Sequence, residues 1–209
     1  LISDPMERKS IIDIKEQKGK DPIVCLTAYT APIARAIDKY VDLLLVGDSL
    51  GMVLYDYENT LPVTLNQMIE HSKSVVGASE NSCVIVDMPF GTYEESKNLA
   101  FNNAAQIMKE TQCDGMKLEG GQSMFETVKY LTERSIPVMG HIGLQPQSVV
   151  IDGGYKIKGK NKCESNKYLD DAKALESAGS FSMFLDGMAE PLAAEITALV
   201  SIPTIGIGA

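Results

Sequence analysis

The sequence predicts an α/β fold, a (β/α)8 TIM barrel whose eighth βα unit is missing from residues 1–209. Three observations predict it. Short apolar or β-branched runs alternate with segments of 3.6-residue periodicity along the whole chain, an order that implies a parallel sheet with right-handed crossovers. The runs are apolar on both faces, as in Leu43-Leu44-Leu45-Val46, which suits strands covered by helices. A doubly wound open sheet would carry a glycine-rich turn after its first strand, and LTAYTAP stands there instead.

In chain order, strands are expected at IVCLTA (23–28), LLLVGDS (43–49), CVIVDMP (83–89), DGMKLEG (114–120), IPVMGHIG (136–143), FSMFLDG (181–187) and IPTIGIGA (202–209). Helical periodicity fills 31–41, 64–80, 94–112, 123–134, 166–178 and 190–200, and Thr64 with Gln67 stands at the two positions of a capping box. A barrel of this kind typically needs about 250 residues. Seven units would leave two exposed strand edges, so either a C-terminal part lies beyond Ala209 or partner subunits cover the opening. Residues 1–209 are read as one domain; residues 1–5, ahead of Met6, read as a non-native remnant with no assigned function.

Composition narrows the function classes. With 28 acidic against 19 basic residues the net charge is -9, and the basic residues form no stripe, which argues against a nucleic-acid partner. No apolar run reaches the roughly 18 residues of a membrane span, and LISDPMERKS lacks the apolar segment of a secretory signal. A cytoplasmic protein is expected. Cys25, Cys83, Cys113 and Cys163 are widely spaced without a C-x-x-C pair, and are read as small, buried, reduced thiols.

In such a barrel, catalytic groups stand at the C-terminal ends of the strands. Asp48, Asp87, Lys117 with Glu119, His141 and Asp186 all fall there, on strands two to six. Lys117 and Glu119, two apart, share one face of their strand, with Met116 and Leu118 facing the helices. Three carboxylates without a partnering His or Cys constellation make a hard oxygen site, which favours Mg2+ over zinc. Each residue also has a structural reading: an Asp after a strand commonly caps the next helix, Lys117 and Glu119 can form an ion pair in the barrel mouth, and His141 can be a core histidine. His141 is therefore kept apart from the catalytic residues. His71 is expected to be solvated on a surface helix, and the terminal GIGA is a weak candidate for a phosphate-binding turn.

LTAYTAP, VGDSLGMVLY, LPVTL, VDMPFG, KLEGG, GHIGLQPQSV, GGYKIKG and IPTIGIGA, in this order and spacing from Ser10 to Ala209, resemble the ketopantoate hydroxymethyltransferase (3-methyl-2-oxobutanoate hydroxymethyltransferase) family. The resemblance implies a barrel of the phosphoenolpyruvate/pyruvate superfamily, assembled as a homodecamer. It implies transfer of a hydroxymethyl group from 5,10-methylenetetrahydrofolate to 3-methyl-2-oxobutanoate, giving 2-dehydropantoate in pantothenate biosynthesis through a Mg2+-stabilised enolate. Carried over residue by residue, Asp48, Asp87 and Glu119 match the Mg2+ site, and Asp48, Ser49, Asp87 and Lys117 match the groups that hold the ketoacid. The family's base is a glutamate in a pattern like L-E-C-V-P; here Leu185-Asp186-Gly187-Met188-Ala189 stands in its place, which makes Asp186 the candidate base. Thr30 and Asp152 also depart from the family's usual Asp and apolar residue. Two alternatives stand beside this reading: another Mg2+-dependent lyase of 2-oxo acids from the same superfamily, and a metal- and ketoacid-binding homologue without turnover.

Overall fold

A computed structural model describes residues 8–208; the expectation for residues 1–5 and the Ala209 end of the terminal glycine motif lie outside them. Seven strands form one sheet: β1 (Cys25–Thr27), β2 (Leu43–Val46), β3 (Cys83–Asp87), β4 (Gly115–Glu119), β5 (Val138–Gly143), β6 (Ser182–Asp186) and β7 (Thr204–Ile207). Each pairs in parallel with the next in sequence. Strictly sequential order excludes the doubly wound alternative, whose order reverses at a switch point. The sheet curls until β1 and β7 face each other across a slot lined by Cys25, Leu26, Thr27, Ile205, Gly206 and Ile207, with Leu45 and Phe184 at its back. This is a nearly closed barrel.

The helices are α1 (Ile11–Glu16), α2 (Ala31–Ile37), α3 (Leu50–Tyr55), α4 (Leu65–Val76), α5 (Lys97–Thr111), α6 (Phe125–Thr132), α7 (Val149–Asp152), α8 (Lys162–Ser177) and α9 (Glu190–Leu199). Four of them start at a side-chain cap. Ser10 and Asp13 form a capping box on α1, Thr64 and Gln67 form the expected one on α4, and the side chains of Ser96 and Asn161 accept from the backbones of Leu99 and Glu164. Sequence periodicity did not reveal α1, α3 and α7, which are six, six and four residues long, too short for a 3.6-residue repeat to register. Among the described residues no helix is long and apolar enough to cross a membrane.

Strand alternation divides the core in two. Leu44, Val46, Val84, Val86, Met116, Leu118, Val138, Met183 and Leu185 face outward and pack against the helices. Leu43, Leu45, Cys83, Ile85, Met139, Phe184 and Ile205 fill the barrel, and Ile14 of α1 packs with them. At the starts of the strands three aspartates are satisfied by backbone amides: Asp38 accepts from Glu80, Asn81 and Ser82, Asp42 from Val24, and Asp114 from Val84. Carboxylates bonded in this way hold connections in place.

The thiol reading holds for Cys83 and Cys113, which are buried, but not for Cys163, which is exposed on α8, or fully for half-buried Cys25. Burial pushes the thiols of Cys25 and Cys113 up to about 12 and about 11, and a thiol reacts through its thiolate. Iodoacetamide at pH 8 should therefore label Cys163 rapidly, with Cys83 and Cys113 labelled only on unfolding, as read by mass spectrometry of digests. Equal labelling rates at Cys163 and Cys83 in native buffer would contradict the packing described.

Candidate active site

The alternation that fills the lower barrel with Leu, Ile, Met and Phe continues to the strand ends, where it turns polar. Asp87, Lys117, Glu119 and His141 stand on the inward register of β3, β4 and β5 and are buried; Asp48 follows β2 by two residues and is buried too. Asp186 closes β6 with its side chain 17% exposed. Sheet register sets Asp87 beside Lys117, Glu119 beside His141, and Gly143 beside Asp186.

Lys117 sits at the centre. Its Nζ lies 3.1 Å from Asp87 Oδ2, 4.0 Å from Glu119 Oε1 and 3.1 Å from His141 Nδ1. Burial alone would lower its proton affinity, but Asp87, Glu119 and Asp48 outweigh it and hold the ammonium charged, with its pKa above the usual lysine range. The charged ammonium has only protons to offer, so His141 Nδ1 accepts from it. The other ring nitrogen, Nε2, lies 2.8 Å from the Leu144 carbonyl and 3.4 Å from Asp186 Oδ2, and so carries the proton. Burial and the Lys117 charge lower the pKa of His141. It is a neutral imidazole with both nitrogens engaged.

The carboxylates are held on one side only. Asp87 Oδ2 accepts from the backbone N–H of Asp48 as well as lying against Lys117, and Glu119 Oε2 accepts from the backbone N–H of Gln147. Their other oxygens, Asp87 Oδ1 and Glu119 Oε1, are buried and accept no hydrogen bond. Leaving a buried charged oxygen unmet costs several kcal/mol in order of magnitude. Burial, offset in part by Lys117, raises the pKa of Asp87 to about 7 and of Glu119 to about 8. Three carboxylates around one ammonium leave the pocket short of positive charge, which fits a hard divalent cation. Among the described residues no three His, Cys, Asp or Glu side chains close into a ready-made metal cage; the donors suit an ion that takes one or two carboxylates and completes its shell with water and ligand oxygens.

None of these carboxylates caps a helix. Ser49 stands at the N-cap of α3 without a side-chain capping bond, and Ala189 at that of α9. The capping alternative is thereby removed, while the ion pair expected between Lys117 and Glu119 is present at 4.0 Å, beside a closer one between Lys117 and Asp87 at 3.1 Å. Ser49 Oγ lies 2.7 Å from the Tyr29 hydroxyl. His71 is not a freely solvated side chain: its ring nitrogens lie 2.6 Å from the Tyr29 carbonyl and 2.9 Å from the Tyr55 hydroxyl. Thr30 stands at the N-cap of α2, and Asp152 pairs with Lys158 at 2.7 Å. Sequence reasoning missed Tyr29, Tyr93 and Gln147. Each lies in or beside a quoted motif, but nothing local marks its side chain as facing the site.

Two glycines shape the Asp186 corner. Gly143 has φ +100°, and a Cβ there would stand 2.1 Å from the backbone oxygen of Asp186; Gly187 has φ +50° and would meet Leu144 at 3.0 Å.

The family model for ketopantoate hydroxymethyltransferase matches residues 8–209. A 3-methyl-2-oxobutanoate hydroxymethyltransferase of Brucella canis is 55% identical over 210 residues, an alignment spanning 100% of this chain and 76% of the relative. Among solved structures, 2,3-dimethylmalate lyase, a PEP mutase/isocitrate lyase superfamily member, has a TM-score of 0.63 at 14% identity, over 89% of this chain and 67% of that one. A phosphonopyruvate hydrolase complexed with oxalate and Mg++ has a TM-score of 0.60 at 11% identity, over 88% and 75%.

Gly143→Ala should force β5 and β6 apart at Asp186 and strain a left-handed backbone, at a cost of about 1–3 kcal/mol. A displacement of about 1 Å at the reacting groups corresponds to roughly 10²-fold in rate, so kcat should fall by about that factor while the protein stays folded by circular dichroism. Unchanged kcat would separate this corner from catalysis.

Proposed function

The chain belongs to the ketopantoate hydroxymethyltransferase family, and from that premise we propose that its barrel rim transfers a hydroxymethyl group from 5,10-methylenetetrahydrofolate to 3-methyl-2-oxobutanoate, giving 2-dehydropantoate. In this reading Asp48, Asp87 and Glu119 hold Mg2+ directly or through water, Asp48, Ser49, Asp87 and Lys117 hold the ketoacid, and Asp186 is the base. The observation that carries the reading is the pair of buried carboxylate oxygens that accept no hydrogen bond, Asp87 Oδ1 and Glu119 Oε1, beside the Lys117 ammonium. Oxalate and Mg++ in the fold neighbour phosphonopyruvate hydrolase support a hard cation with a small carboxylic acid. When bound, Mg2+ would supply Lewis acidity toward the ketoacid carbonyl and so acidify its C3 proton.

The residues of the chain divide the remaining work. Lys117 keeps its proton and contributes positive potential where negative charge develops on the substrate, so it cannot serve as the base. His141 accepts from Lys117 at Nδ1 and carries its proton at Nε2, so neither nitrogen is free to take one. Asp186 remains, the least buried carboxylate of the group. It takes the C3 proton, and the electron pair left at C3, delocalised onto the keto oxygen, forms a bond to the methylene carbon. The two bonds from that carbon to the folate nitrogens break in turn, water supplies the hydroxyl oxygen, and the C3 proton and one water proton end on the two nitrogens of the departing tetrahydrofolate. Aspartate reaches one carbon–carbon bond, about 1.5 Å, less far than the family's glutamate, and the backbone at Gly187 is where the shorter arm is accommodated. Self-association as a homodecamer belongs to the same proposal; apolar Val53, Leu54, Val150 and Ile151 stand exposed beside the rim.

With Mg2+ and no folate, the protein should exchange the C3 proton of 3-methyl-2-oxobutanoate for deuterium in heavy water, followed by proton NMR. Asp186→Asn should bind the ketoacid yet lose exchange by two orders of magnitude or more. Exchange at the parental rate in that variant would remove Asp186 from the reaction. Ketoacid binding by the parent without any exchange would point instead to a binding protein.

Asp48→Asn and Asp87→Asn should each weaken Mg2+ and ketoacid together in calorimetry, because each ligand favours the other's binding and the coupling is reciprocal. A loss of about tenfold or more for both ligands is expected. If either variant bound both with parental affinity, its carboxylate would not belong to the site.

A further inference from the structure

Gln147 lies on a 3-10 turn (Pro146–Ser148) just beyond β5, and it is buried. Every polar atom of its side chain is used. Nε2 donates to Asp48 Oδ2 at 2.8 Å and to the Met88 carbonyl at 2.9 Å, and Oε1 accepts from the Tyr93 hydroxyl at 2.5 Å. Its backbone N–H donates to Glu119 Oε2 at 3.1 Å. The direction of the amide is set by groups outside the site. The Met88 carbonyl can only accept, and the Tyr93 oxygen already accepts the backbone N–H of Glu119 at 3.2 Å, which aims its own proton at Gln147. The amide must therefore present N–H, not C=O, to Asp48.

We infer that Gln147 is a positioning residue: through its side chain and its backbone it fixes one oxygen of Asp48 and one of Glu119, and so decides which carboxylate oxygens face the ligand. The inference rests on the proposed ketoacid and Mg2+ reading of the rim. It explains why Glu119 offers Oε1 and keeps Oε2: the latter is tied to the turn that carries Gln147. It also couples carboxylates that belong to two different strand ends, Asp48 after β2 and Glu119 on β4, through one residue from a third strand's loop. A purely space-filling glutamine would need none of this directionality.

The test measures ketoacid affinity by calorimetry in the presence of Mg2+, and Mg2+ affinity alone, for the intact chain. Gln147→Leu removes the donor to Asp48 and should weaken ketoacid binding about 10- to 100-fold, the range for a hydrogen bond to a charged group. Gln147→Glu keeps the shape but sets an acceptor against Asp48 and the Met88 carbonyl, and should lose at least as much. If the Leu variant does not fold, the isosteric Glu variant carries the test. Tyr93→Phe frees the amide to turn over and should cost about 3- to 10-fold. The double variant Asp48→Asn/Gln147→Leu should bind no more weakly than the weaker single variant, since both remove one interaction. Folded Gln147→Leu and Gln147→Glu proteins that bind both ligands with parental affinity, or losses that multiply in the double variant, would overturn the positioning role. If Asp48→Asn alone left binding unchanged, the ligand reading of the rim would fall and this inference with it.

Discussion

The buried ammonium of Lys117 is the interaction on which the rim depends. Removing an isolated charge of this kind from water costs far more than one fold can spare, so it persists only with anions close by. Asp87 and Glu119 supply them, and His141 accepts a hydrogen bond from the same ammonium through Nδ1. That contact settles the histidine's tautomer, and the tautomer settles what Asp186 meets at 3.4 Å. Replacing Lys117 would therefore disturb strands β3 to β6 at once.

The two ends of the barrel use the same side chain for different ends. Asp38, Asp42 and Asp114, near the strand starts, have both oxygens met: Asp38 by backbone amides, Asp42 by the Val24 N–H and Lys9, and Asp114 by the Val84 N–H and Arg8. Asp87 and Glu119, at the strand ends, each keep one oxygen buried and unmet. A satisfied carboxylate stabilises a turn, whereas an unsatisfied one stores a cost that a bound ion can relieve. The barrel's division into a stabilising face and a reactive face is written in those hydrogen bonds.

Much of this was legible in the sequence. Runs such as LLLV and CVIVD gave every strand its place, and the two-residue spacing of Lys117 and Glu119 was enough to put both inside the barrel. What periodicity cannot report is which distant side chains meet. Gln147 and Asp48 are 99 residues apart, and Tyr93 and Gln147 are 54; their contacts exist only once the loops have been folded over the closed sheet. Glutamine and tyrosine carry no charge pattern that would flag them beforehand. Exposed Cys163 and doubly bonded His71 were misjudged for a related reason, since burial and partners on a helix depend on which neighbours pack beside it.

The continuity of the sheet has a mechanical consequence. Every charged group of the rim comes from β2 to β6 or from the turn after β2, and these strands are hydrogen-bonded to one another without interruption. The spacing between Asp87, Lys117 and His141 is set by two adjacent ladders, so it changes only if hydrogen bonds along β3, β4 and β5 stretch together. Motions of the loops and helices around the barrel should accordingly alter access to the rim before they alter the distances among these three side chains.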